Sequence, residues 1–103
     1  MKFSCKFFSK FVAKNETISD MKFGFVNISA CAPRVRVADT MFNVNEIKSE
    51  IVQAEGRGVE IIVFPELCVT GYTCGDLFHQ QTLIESAEMA MIELMTFTRS
   101  LDI

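Results

Sequence analysis

From Met21 onward the chain alternates apolar runs with amphipathic stretches, and the period changes from one to the next. Lys22 to Cys31 is dense in Phe, Val and Ile and is bounded by Pro33, the signature of a strand. Pro33 to Thr40 then reads as a loop. Asp39 or Asn43 stands where a helix would be capped, and Asn43 with Glu46 three residues later has the spacing of a capping box. Val44, Ile47, Ile51 and Ala54 recur at helical spacing, which leaves Asn45, Glu46, Lys48 and Glu50 for the wet side. Gly56 and Gly58 end that helix, because glycine accepts the left-handed backbone found at helix ends. Val59 to Phe64, apolar except at Glu60, is short and β-branched and predicts a strand buried on both faces. Pro65 closes it, since proline offers no amide hydrogen to a neighbouring strand.

A strand, a helix and a second strand joined by short links make a βαβ unit with parallel strands. After Gly71 and Gly75 a second helix is expected over Thr82 to Ser100, with Leu83, Ala87, Ala90, Met91, Leu94 and Leu101 on its apolar face. Such a stripe serves packing far more often than it holds a cofactor. A further strand could begin at Leu101-Asp102-Ile103, so the pattern is that of a domain whose layers continue beyond it.

Residues 1–20 follow a different rule. Lys2, Lys6, Lys10 and Lys14 fall every fourth position beside Phe3, Phe7 and Phe11, which on a helix would form a basic amphipathic surface like that of a transit or membrane-surface segment. The plainer reading, and the one preferred, is an N-terminal extension, non-native or disordered, with Met21 as the natural start of the patterned domain at 21–103. Asn15-Glu16-Thr17 is a formal glycosylation sequon.

Composition narrows the class. Half of the 103 residues are apolar, with ten Phe and six Met, which excludes a disordered chain. No apolar run approaches the roughly 20 residues that span a bilayer, so a membrane is not an expected partner. The net charge of −3, with the lysines gathered at the N-terminus, argues against nucleic acid, where affinity depends on neutralising phosphates. Cys5, Cys31, Cys68 and Cys74 form no C-x-x-C pair and His79 stands apart from them. Reduced thiols in a cytoplasmic protein are therefore expected, and no metal site.

The chemistry concentrates in Phe64-Pro65-Glu66-Leu67-Cys68-Val69-Thr70-Gly71-Tyr72. Here a carboxylate, Glu66, follows the C-terminal end of a buried strand, where open α/β sheets place their ligands. Flanked by Leu67 and Val69, it would be partly desolvated and so suited to accepting and returning a proton near neutral pH. The alternative is an ordinary loop glutamate, exposed or capping the next turn. Cys68 is a secondary candidate as a reactive thiol. Tyr72 either lines a pocket or packs after a turn, and Asp76 and His79 read as capping or solvating the segment after Gly75.

Phe64-Pro65-Glu66-Leu67 with Gly71-Tyr72 resembles the first motif of the nitrilase, or carbon–nitrogen hydrolase, superfamily. Ala32-Pro33 and Val37-Ala38-Asp39 ahead of it, with Thr73-Cys74-Gly75-Asp76-Leu77-Phe78 behind, are similar to the glutaminase domains of glutamine-dependent NAD+ synthetases. The resemblance runs from about Met21 to Ile103 and implies an α/β fold, an incomplete nitrilase-like αββα sandwich. It implies a Glu–Lys–Cys triad in which the thiol attacks the glutamine side-chain amide. The Glu, here Glu66, accepts the thiol proton and passes it to the leaving ammonia, while the Lys stabilises the oxyanion. Ammonia then serves a synthetase domain that amidates nicotinic acid adenine dinucleotide, with ATP and Mg2+ belonging to that missing domain. Only Glu66 of the triad maps here, so the expectation is an N-terminal fragment, inactive by itself, that forms a homo-oligomer when full-length. Two rivals stand beside it: a fragment of another nitrilase-type amidase or carbamoylase, and a non-catalytic remnant or interaction fragment.

Overall fold

A computed structural model describes the backbone of residues 6–12 and all of residues 24–103. Three strands form one sheet: β1 (Lys6–Val12), β2 (Phe25–Ala30) and β3 (Ile61–Val63), in the spatial order β1-β2-β3. β2 and β3 are adjacent and parallel, with Ile28 opposite Ile61 and Ala30 opposite Val63. Helix α1 (Thr40–Glu55) connects them, which is the expected βαβ unit. Helix α2 (Gln81–Thr98) follows a 3-10 turn at Gly75–His79.

β1 runs antiparallel to β2, with a register shift between Ser9 and Phe11. Over Lys6–Val12, then, the chain is a strand and not the basic amphipathic helix that the four-residue spacing would allow. A repeat of four is a multiple of the strand period of two, and phenylalanine is a strong strand former. Pairing with β1 also covers an edge that β2 would otherwise leave open. The sequon at Asn15 and the thiol of Cys5 lie outside the described residues.

α1 forms where its capping and apolar spacing demand. Asp39 sits outside the helix at φ −98°, ψ 76°, and its carboxylate accepts from the Phe42 amide at 3.1 Å. Asp39 is therefore the N-cap, and Asn43 is not: it lies inside the helix and donates its own amide to the Asp39 carbonyl at 3.0 Å. The helix ends at Gly56, which keeps a right-handed φ of −60°. Gly58, at φ +75°, makes the left-handed turn into β3. Val44, Ile47, Ile51 and Ala54 are all buried, as their spacing requires. Ile47 and Ile51 meet Cys68, with Ile62 and Phe64 on the sheet side and Leu94 and Phe97 on α2 packed around them.

The polar side of α1 is less wet than expected. Lys48 pairs with Glu93 of α2 and lies 5.2 Å from the Phe97 ring centroid, its stem covering apolar surface while its ammonium stays paired. Glu50 accepts the Cys31 thiol at 3.1 Å. Glu46 takes a bidentate grip from the Arg34 guanidinium at 2.9 and 3.1 Å. Lys48, Glu50 and Glu46 thus each tie α1 to a neighbouring segment, while Asn45 is exposed.

Two burial expectations are corrected. β3 is covered on one face only: Ile62 is half-buried towards α1, whereas Ile61 and Val63 remain 47% and 52% exposed. The reason is layering, because α1 and α2 cover one side of the sheet and the described residues place nothing on the other. What stands is one helix layer on one sheet, half of an αββα arrangement. On α2, Leu83 and Ala90 are buried as expected, but Met91 is exposed.

Core packing sets the first expected outcome. Ile51→Ala should lower the unfolding free energy by about 2–5 kcal/mol, whereas Met89→Ala, at a side chain 72% exposed, should change it by less than about 0.5 kcal/mol. Urea titration followed by circular dichroism measures both.

Candidate active site at the end of the parallel strands

Two loops leave the sheet at the same end. One follows β2 through residues 31–39 and the other follows β3 through residues 64–74. Glu66 stands in the second, three residues beyond Val63. The loop is built as successive turns, with the Cys68 amide donating to the Pro65 carbonyl at 3.4 Å and the Gly71 amide to the Leu67 carbonyl at 2.8 Å. Leu67, directly after Glu66, adopts φ +58°. A left-handed leucine costs roughly 1–2 kcal/mol, and such strain gathers at functional turns where the surroundings hold it in place.

The two loops are fastened to each other. Asn43, fully buried, reaches out of α1 between them. Its Oδ1 accepts from the Arg36 amide at 2.7 Å, and its Nδ2 donates to the carbonyls of Arg36 and Val69, each at 2.8 Å. One amide orientation alone satisfies all three, because the flipped group would set donor against donor. The Ala38 amide, from a residue at φ +58°, donates to the Thr70 carbonyl at 2.7 Å. Gly71 is buried at φ +92°, where a Cβ would lie 3.1 Å from the Val37 Cα. Close backbone approach and backbone conformation both require glycine there.

Glu66 itself is exposed, which corrects the expected desolvation by Leu67 and Val69: Leu67 is 43% exposed, and Val69 turns into the core beside Ile47 and Ile51. Tyr72 is not packed into the core. It is 53% exposed and shares a groove of about 520 Å³ with Pro33, Arg34, Val35, Arg36 and Phe42. The Arg36 guanidinium lies 3.8 Å from the Phe42 ring centroid. A second, apolar groove of about 590 Å³ lies between the Gly75–His79 turn and α2, lined by Leu67, Phe78, Leu83, Ile84, Met91 and Ile92. Asp76 and His79 are exposed on that turn.

The thiols near Glu66 are structural. Cys68 is buried in the core cluster, and burial pushes its thiol up, against a smaller opposing effect of a backbone hydrogen bond. A thiol held protonated is a poor nucleophile. Cys74 is buried too, its Sγ donating to the Thr70 carbonyl at 3.2 Å. No three His, Cys, Asp or Glu side chains among the described residues gather as a metal site would need. No helix among those residues is long and apolar enough to cross a membrane.

The site is thus an exposed carboxylate on a braced turn just beyond a parallel strand. A family model described as carbon-nitrogen hydrolase matches residues 27–102. This chain belongs to the carbon–nitrogen hydrolase family. Within it, the chain is 30% identical over 73 residues to the glutamine-dependent NAD(+) synthetase of Mycobacterium tuberculosis H37Rv, a match covering 71% of this chain and 11% of that protein. The Mycobacterium leprae enzyme of the same name is 30% identical over 78 residues, covering 76% and 12%. A crystal structure of a glutamine-dependent NAD(+) synthetase from Cytophaga hutchinsonii matches with a TM-score of 0.64 and 36% identity, over 67% of this chain and 12% of that one. The fold is thus nitrilase-like, and the carbon–nitrogen hydrolase unit present here is related to the opening part of those synthetases. It spans about an eighth of their length.

One residue of the site was missed from sequence. Asn43 passed for a cap, although a polar residue four positions before Ile47 falls on the buried stripe, and that mismatch was the available signal.

Two outcomes test this geometry. Gly58→Ala and Gly71→Ala both place a Cβ at positive φ, but only at Gly71 does it meet backbone. Gly58→Ala should cost about 1 kcal/mol and Gly71→Ala clearly more, measured by urea unfolding. The Cys68 thiol should resist alkylation at neutral pH until denaturant is added, as read by peptide mass spectrometry. Because its folded pKa lies above the unfolded one, its contribution to stability is complete below the unfolded thiol pKa and declines as pH rises towards the folded value.

Proposed function

We propose that residues 21–103 are the opening portion of a glutaminase domain that releases ammonia from L-glutamine within a glutamine-dependent NAD+ synthetase. In this reading Glu66 is the proton acceptor. The observation that carries it is the position of Glu66 on a strained turn at the carboxyl end of β3, within the stretch matched by relatives bearing that enzyme name. Glu66 takes the proton of an attacking thiol, the thiol sulfur adds to the glutamine side-chain carbonyl, and the collapsing adduct expels ammonia with the proton that Glu66 returns.

The thiol and the oxyanion-stabilising Lys come from residues outside this chain, since Cys68 and Cys74 are committed to the core. ATP and Mg2+ belong in the same reading to the synthetase domain, which amidates nicotinic acid adenine dinucleotide with the ammonia. The complete enzyme is cytoplasmic and homo-oligomeric in this proposal. The 103 residues alone are inactive, because a base without a nucleophile opens no thioester route.

Glutamine hydrolysis by the full translated product of the gene tests the reading. The unaltered protein should release ammonia from L-glutamine, and Glu66→Gln should lower the rate by about 10²–10⁴-fold with folding unchanged. Undiminished hydrolysis in Glu66→Gln, or ammonia release by the isolated 103 residues, would overturn it. A product that instead acts only on other amides or carbamoyl compounds would mark a different amidase of the family.

A further inference from the structure

We infer that Asn43 is the positioning residue of the loop that carries Glu66, an inference that rests on the reading of Glu66 as a base. Asn43 has no part in covering the core, since all three of its side-chain hydrogen bonds go to backbone outside α1. Two of them hold Arg36, in the loop after β2. The third holds the carbonyl of Val69, three residues beyond Glu66.

The bond to Val69 acts on a segment that needs holding. Leu67 stands at positive φ, and its carbonyl accepts the Gly71 amide, so the turn from Glu66 to Gly71 is a single strained unit. The Asn43 amide grips that unit from within α1, and the Ala38 to Thr70 bond grips it from the neighbouring loop. α1 is in turn fixed by Ile47 and Ile51 in the core. A rigid path therefore runs from core to helix, from helix to Asn43, and from Asn43 to the turn bearing the carboxylate. Glu66 is exposed, so its place is set by its backbone. A base needs placement within hydrogen-bond reach of the proton it accepts, and a displacement of about 1 Å at such a group costs about 10²-fold in rate.

The role predicts a pattern that mere loss of stability does not produce. Asn43→Leu keeps the branched shape and heavy-atom count of the side chain and removes the three bonds. In hydrogen exchange of the 103-residue chain read by NMR, the Ala38 and Gly71 amides should lose about tenfold or more in protection beyond any loss at Ile47 and Ile51 in α1. A uniform loss at all four amides, or none at Ala38 and Gly71, would overturn the inference. Should Asn43→Leu fail to fold, the unaltered chain decides. The Asn43 side-chain amide, Ala38 and Gly71 should open together at rates distinct from α1, and independent opening would overturn the inference.

In the full translated product, Asn43→Leu should lower kcat for glutamine by about 10²-fold with KM little changed. Val59→Ala, at a buried side chain outside this path, should leave kcat intact as the control. If the unaltered product hydrolyses no glutamine, the proposed function fails, while the exchange pattern still decides the positioning role.

Discussion

A single buried amide joins the two loops at the end of the structure that carries Glu66. Asn43 projects from the face of α1 that otherwise carries Thr40, Val44, Ile47, Ile51 and Ala54, and it makes three backbone hydrogen bonds to two loops. Burying an amide costs roughly 1–3 kcal/mol if it is left unpaired, and here it is paired with backbone groups of both loops. The exchange is therefore mutual. α1 gains a satisfied polar group in its buried stripe, and the loops after β2 and β3 gain a common anchor. Gly71 completes the junction, because only a residue without a side chain lets the second loop approach Val37 so closely.

The location of Glu66 follows from this junction and from the parallel order of β2 and β3. Parallel strands send their following loops out at the same end, so residues 31–39 and 64–74 meet without any further device. The strained φ of Leu67 is then held by the hydrogen bonds on either side of it. The rest of α1 strengthens the platform: Lys48 to Glu93, Glu50 to Cys31 and Glu46 to Arg34 each join the helix to a different segment. Of these, the exposed Arg34 pair adds little stability, and the core around Ile47 and Ile51 carries most of it. Above the other face of the sheet, Ile61 and Val63 present apolar surface where an αββα sandwich has its second sheet.

Much of this was legible in the sequence, and the division has physical causes. The βαβ unit was readable because periods of 3.6 and 2 are written directly in the apolar positions, and Asp39 and Pro65 mark boundaries by local backbone chemistry. Glu66 was readable as a candidate because strand ends and short motifs are local too. What escaped depends on contacts between distant residues. Asn43 reads as a cap until Val69, 26 positions away, is brought to it. Lys48 reads as solvated until α2 is placed against it, and β3 reads as doubly buried because an apolar run does not say whether both layers are present. The opening residues misled for a different reason, since a repeat of four suits helix and strand alike.

The claim at the centre is that the Asn43 side chain is bonded across both loops, and through-hydrogen-bond scalar coupling in the isotopically labelled chain tests it most directly. The structure expects NMR correlations from the Asn43 Nδ2 to the carbonyl carbons of both Val69 and Arg36, together with side-chain amide protons shielded from solvent exchange. Absence of the Val69 correlation, with an Asn43 amide exchanging as freely as an exposed one, would contradict the account and leave the turn bearing Glu66 without its anchor.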